Sequence, residues 1–266
     1  MTIARVKTWS AGEVLSAVDL NAEFDNIITQ PSAFSITATG STTALTLADR
    51  FAREYWVEDF GTMTANGGGA ANNSTIIQTA INYVGSTALG GRLRMQPLYY
   101  DIATGLTNTY NNVLLCGAGS GGASTHATKQ GYLTAGTTLK WTGAAGGTMY
   151  DIGTAPSSAY RVYGGGIDGV FFEGNSLAAF GVKVRSVAHA YFDLSVEETT
   201  TVGVDIDVDD TVTSDPPDTQ HNYFAHIVTI QESATGGIGV RLGGGTSANT
   251  SLNHFGFLHL FILNSI

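Results

Sequence analysis

Glu173 and Glu197 have the clearest capacity for chemistry. Each directly follows an apolar residue, in Phe172-Glu173 and Val196-Glu197, at matching points of an internal repeat. Two carboxylates about 5–5.5 Å apart serve retaining cleavage of a glycosidic bond, and about 6.5–9.5 Å apart inverting cleavage. Like charges stacked on neighbouring strands repel, and such strain accompanies sites where one carboxyl titrates high and acts as the acid. The competing expectation is two solvated glutamates splayed apart, with Gln231 easing the repulsion in the third copy. Asp168, Asp193 and Glu232 are weaker candidates for the same role, and Lys183 and Arg185 are cations of the type that elimination uses. The six histidines show neither a common repeat position nor ligand spacing, so no metal site and no cofactor is expected. The glycine runs at 117–122 and 164–166 lack the companions of a nucleotide loop and read as turns. Cys116 is the single cysteine, which excludes an internal disulfide and predicts a small buried side chain.

The elements that position these residues follow from the repeat. Gly-Val-x-apolar segments begin at Gly181, Gly203 and Gly239, steps of 22 and 36 residues. The longer step absorbs the stretch 209–222, and a fourth copy begins at Leu258 and Leu260. A period near 22 predicts a mainly β fold, the stacked turns of a parallel β-helix. Hairpin dipeptides at short spacing, the mark of a sandwich, are scarce. Stacked strands lie about 4.8 Å apart. Lys183, Asp205 and Arg241 would then form a +/−/+ ladder on an outer face, repeated two residues on by Arg185 and Asp207. The alternation Asp205, Asp207, Asp209 reads as a solvated strand face rather than a calcium ladder.

Two helices precede this region. Ser16 to Asp19 has the form of a helix start, and Leu20, Phe24, Ile27 and Ile28 follow on one stripe until Pro31. A lone helix with one greasy stripe needs a surface to pack on. The second helix spans 73–84, with Asn73 or Ser74 as its cap, Ile77, Ala80, Ile81 and Val84 on its apolar face, and Gly85 at its end. This divides the chain into a helical segment 1–31, a connector 32–55 and a β region 56–266. The last breaks off within its fourth repeat, so the chain reads as the N-terminal part of a longer protein.

Composition narrows the function classes. Twelve basic against 22 acidic residues give a formal charge of −10, and no Lys/Arg cluster is present, which argues against nucleic acid as a partner. The first ten residues lack the apolar core of an export signal. The run Phe255–Leu263 is too short to span a bilayer, so a soluble protein made in the cytoplasm and not inserted in a membrane is expected.

The stretch Arg5-Val6-Lys7-Thr8-Trp9-Ser10-Ala11-Gly12-Glu13-Val14-Leu15, continuing through Asp19-Leu20-Asn21-Ala22-Glu23-Phe24-Asp25-Asn26-Ile27, resembles the virion-attachment segment of bacteriophage tail fibres and tailspikes. Thr37 to Thr43 with Leu47 to Ala52 resembles the connector that follows. Val57-Glu58-Asp59-Phe60-Gly61, the helix through Val84, Gly90-Gly91, Pro97-Leu98-Tyr99-Tyr100 and Val113 to Gly119 are similar to the opening of pectate-lyase-like right-handed β-helix proteins. Where that family carries acidic residues before the helix, this chain reads Asn66-Gly67-Gly68-Gly69-Ala70-Ala71-Asn72-Asn73. The resemblance implies a homotrimeric tailspike in the virion tail, docked on other tail proteins through Leu20, Phe24, Ile27 and Ile28. Its β-helix would be capped by the second helix, and would bind and often cleave a bacterial surface polysaccharide. Trp141, Tyr160 and Tyr163 are the candidate stacking platforms for such a sugar. A non-cleaving adhesin or adaptor, and a free polysaccharide lyase or hydrolase, are the alternatives.

Overall fold

The computed structural model describes residues 35–36, 45–46, 54–65, 67–119, 136–153, 161–207, 219–231, 237–243, 250–251 and 253–262. The chain divides into two compact units, Met1–Arg53 and Glu54–Ile266. In the first, β1 (Ser35–Ile36) and β2 (Leu45–Thr46) pair antiparallel.

Among its described residues the second unit is mainly β, with parallel strands and one long helix. It opens with β3 (Glu54–Trp56), a 3-10 turn over Val57–Phe60 and helix α1 (Ala70–Ser86). There follow β4 (Gly91–Arg94), β5 (Tyr99–Ile102), β6 (Leu106–Asn108), β7 (Val113–Cys116), β8 (Thr137–Trp141) and β9 (Thr148–Ile152). Next come β10 (Val162–Tyr163), β11 (Gly166–Glu173), β12 (Phe180–Arg185), β13 (Val187–Ala188), β14 (Tyr191–Glu197) and β15 (Val202–Asp207). The last are β16 (Thr219–Gln220), β17 (Tyr223–Gln231), β18 (Ile238–Leu242), β19 (Thr250–Ser251), β20 (His254–Phe255) and β21 (Leu258–Ile262).

From β10 onward the chain visits three parallel sheets in strict rotation. The four-stranded sheet takes β10, β13, β16 and β19; the ten-stranded sheet takes β11, β14, β17 and then β20 and β21; the five-stranded sheet takes β12, β15 and β18. The repeat therefore places its copies side by side, with Val182 against Val204 and Val204 against Val240. Inward positions form columns of like residues. Phe192, Phe224 and Phe255 stack with ring centroids 4.7 and 4.9 Å apart, which adds about 0.5–1.5 kcal/mol per pair beyond the area buried.

Helix α1 buries Ile77, Ala80, Ile81 and Val84 completely. It begins one turn earlier than its capping signal suggests, at a left-handed Gly69. Asn73 and Ser74 are thus interior residues that tie the helix down. Asn73 donates to the Thr64 and Asp101 carbonyls, and the Ser74 hydroxyl accepts the Ala103 and Thr104 amides.

The expected charge ladder holds its register and gains a member, running Asp151, Lys183, Asp205, Arg241. Its side chains are not arranged as simple neighbours. Arg241 grips Asp205 with two bonds of 2.7 and 2.6 Å, whereas Lys183 lays its Nζ over the Phe180 ring at 3.7 Å. Burial, with Arg185 nearby, holds the Lys183 ammonium below the usual lysine range. Arg185 stands beside Asp207 in the ladder but binds Asp151. Asp205 is only 2% exposed, so this strand face is covered rather than solvated.

Candidate functional site

The outer face of the ten-stranded sheet carries the most chemically equipped surface among the described residues. Its construction starts at the corner before each strand. Asn112, Gly164, His189 and His221 each stand two residues before an aligned position, occupied by Leu114, Gly166, Tyr191 and Tyr223. All four take left-handed backbone, with φ of 59°, 69°, 59° and 57°. Asn, Gly and His are the types that tolerate this conformation. Asn222, fully buried beside His221, locks the corner. Its amide donates to the Val187 carbonyl and to Asn253 Oδ1, and its own oxygen accepts the Ala190 amide.

Beyond the corner, side chains alternate in and out with the pleat. Tyr191 and Tyr223 face out while Phe192 and Phe224 face in. The corner and the strands together present two rows of rings. Tyr163, His189 and His221 stack with centroids 6.2 and 5.2 Å apart, the two imidazoles only 2° from parallel. Tyr191 and Tyr223 tilt together at 6.0 Å, and His254 continues their column.

The next outward column is charged. Asp168 and Asp193 are register partners on neighbouring strands. A bulge at Ala225 then puts His226, rather than the alanine, opposite Asp193; re-aiming a side chain is a characteristic use of a bulge. Arg92 meets Asp168 at 3.4 Å, and His226 Nδ1 meets Asp193 at 3.5 Å. Burial, then the Asp193 and Asp168 carboxylates, hold the Tyr191 hydroxyl above the usual tyrosine range, which marks one electrostatic neighbourhood. Rings offering flat faces beside carboxylates suit a sugar, whose C–H faces pack on aromatics and whose hydroxyls donate to carboxylate oxygens.

Among the sequence-derived candidates, Glu173 and Glu197 do align on neighbouring strands. They are not splayed into solvent, being 0% and 1% exposed, and Lys140 closes on Glu173 at 3.0 Å. A sugar chain does not reach carboxylates so covered. The third copy is offset: Glu197 pairs with Ile230 instead of Gln231. Trp141 is a core residue, 4% exposed, with its indole N–H donating to the Ala144 carbonyl, so it offers no platform. Tyr163 is exposed and joins the ring row. Tyr160, Glu232, Asp209 and the stripe Leu20, Phe24, Ile27 and Ile28 lie outside the described residues. Cys116 is buried, which pushes its thiol up.

Tyr191, Tyr223, His189, His221 and His226 escaped the sequence reading, and the expectation that no histidines share a repeat position is corrected by His189 and His221. The signal was present as His189-Ala190-Tyr191-Phe192, His221-Asn222-Tyr223-Phe224 and Asn253-His254-Phe255. It was hidden because its steps are 32 and 31 residues, different from both steps of the Gly-Val element. Among the described residues, no group of three or more His, Cys, Asp or Glu converges as a metal site, and no helix is long and apolar enough to cross a membrane.

No protein-family model matches the chain, and no curated protein matches it. Among solved structures, ORF18 of Geobacillus virus E2 is similar in fold, with a TM-score of 0.54 and 22% identity over 79% of this chain. The match covers 37% of that phage protein's length.

Proposed function

We propose that the chain belongs to a bacteriophage tailspike or tail fibre that recognises its host by binding a bacterial surface polysaccharide. In this reading the rotating strands are turns of a right-handed parallel β-helix, residues 1–31 attach the protein to other tail components, and the working form is a homotrimer in the virion. The observation that carries the binding role is the exposed double row of rings flanked by Asp168 and Asp193. The fold likeness to a phage protein and the N-terminal resemblance support the virion setting.

Binding is favoured over cleavage. The buried Glu173 and Glu197 lie out of a sugar's reach, and each outward carboxylate is engaged, Asp168 by Arg92 and Asp193 by His226. The test is incubation with capsular polysaccharide and lipopolysaccharide. Retention on either, without new reducing ends or unsaturated-sugar absorbance, supports an adhesin. New reducing ends would indicate hydrolysis and the absorbance elimination; failure to retain any surface glycan would overturn the reading. Attachment is tested separately: Phe24→Asp should abolish incorporation into virions while leaving the β region folded.

A further inference from the structure

We propose that the notch between Tyr191 and Tyr223, with Asp193 and Asp168 beside it, receives an organic ammonium group carried by the glycan. The inference rests on the reading that this face binds a glycan, and it names the substituent the face selects. Tyr191 and Tyr223 are register partners on β14 and β17, and both rings are exposed. Their planes meet at 46° with centroids 6.0 Å apart, so they flank a notch and offer no single flat platform. A compact cation seated over the notch lies within about 6 Å of both centroids, the range in which the negative face of a ring attracts it.

The chain uses its rings in this way elsewhere. Lys183 Nζ stands 3.7 Å over Phe180, Arg241 approaches the same ring at 5.9 Å, and Lys140 lies 5.8 Å from Tyr99. Among the described residues no lysine or arginine lies over Tyr191 or Tyr223. Arg92 shares their row but stands three strands from Tyr191, beyond Leu114 and Gly166, and turns to Asp168 at 3.4 Å.

The carboxylates add full negative charge to the notch. Asp193 and Asp168 are register partners in the next outward column, with side chains partly exposed. Burial, then Asp193 and Asp168, raise the Tyr191 hydroxyl, so the ring and the carboxylates share one field. A carboxylate accepts up to about four partners, so Asp168 can keep Arg92, and Asp193 can keep His226, while facing a ligand cation. The formal charge of −10 adds a long-range field that draws cations in and turns anions away. A neutral sugar gains nothing from that field. The ammonium can sit on the sugar ring, as in an amino sugar, or hang from it on a short arm, as choline does; the recognising chemistry is the same.

The experiment is calorimetric binding to the full chain of three probes. They are N,N,N-trimethylchitosan oligomers, whose charge is permanent, size-matched N-acetylchitooligosaccharides, which are neutral, and choline alone. The trimethyl oligomer should bind at least ~10-fold tighter than the neutral one at low salt, and the gap should narrow at high salt. Choline binding in addition identifies a pendant ammonium as sufficient, whereas binding of the oligomer alone identifies an ammonium on the sugar; either supports the inference. Tyr191→Leu/Tyr223→Leu keeps apolar bulk but removes the ring quadrupole, and Asp193→Asn removes a charge. Each should shrink the gap several-fold, whereas Tyr191→Phe/Tyr223→Phe should keep it, with circular dichroism unchanged in all three. Equal affinity for charged and neutral oligomers, a preference for the neutral one, a gap untouched in the leucine variant, or binding of neither ammonium probe overturns the inference. If the neutral oligomer or a surface glycan still binds in that case, and binding is lost in Tyr191→Ala, the glycan-binding reading survives alone. If no glycan binds, both fall.

Discussion

Arg241 reaches across 36 residues of sequence to hold Asp205 with two bonds of 2.7 and 2.6 Å, and the carboxylate it holds is almost wholly buried. Removing the arginine leaves a charge without its main partner in a covered position, whereas removing both leaves none. Arg241→Ala should lower stability by about 1–3 kcal/mol, the arginine being partly exposed. Arg241→Met combined with Asp205→Asn should recover most of that loss. Urea unfolding midpoints of the two variants decide it; equal losses would show that the pair does not act as a unit.

The corner before β17 depends on one buried amide. Asn222→Ala strands the Ala190 amide and the Val187 carbonyl, and each orphaned buried group costs about 1–3 kcal/mol. A thermal unfolding scan should show a substantially lowered midpoint. Binding should weaken as well, since His221 and Tyr223 hang from the same corner.

Tyr191→Ala and Tyr223→Ala act on function with little effect on the fold. Both rings face outward, and Tyr223 is 49% exposed. Each substitution should weaken polysaccharide retention roughly 5-fold, in line with about 1 kcal/mol per aromatic contact. The unfolding midpoint should move little. Trp141→Ala should do the reverse, because its indole fills the core; deleting it should cost about 3–5 kcal/mol.

Stability should fall in alkali. Burial raises the Tyr99 phenol to about 12 from 10.0, with the Lys140 ammonium over its ring opposing the rise. A group whose acid form is favoured by folding contributes fully below its unfolded value and loses that contribution as pH climbs through its folded value. The decline should therefore lie between about pH 10 and about pH 12. Tyr100 and Tyr150, also pushed up by burial, deepen it. Urea midpoints measured across that range should drop less steeply for Tyr99→Phe.

The copies at Gly181, Gly203 and Gly239 were legible as parallel neighbours because an outward alternation of Lys183, Asp205 and Arg241 accompanies an inward run of valine. Both patterns arise from the two-residue period of a strand. The apolar face of α1 was legible for the equivalent helical reason. Burial and bulges were not. Glu173 and Glu197 align as their repeat positions imply, but nothing local in the chain says that their face is covered. The Ala225 bulge brings His226 opposite Asp193, and a single inserted residue leaves no trace in a period read from spacing. The amino-acid order alone determined which strands run side by side, since hydrophobic alternation and repeat length set the pairing. Tertiary structure alone decided which side chains meet solvent: left-handed corners and bulges aim each residue, and the layers packed over a strand hide or expose it.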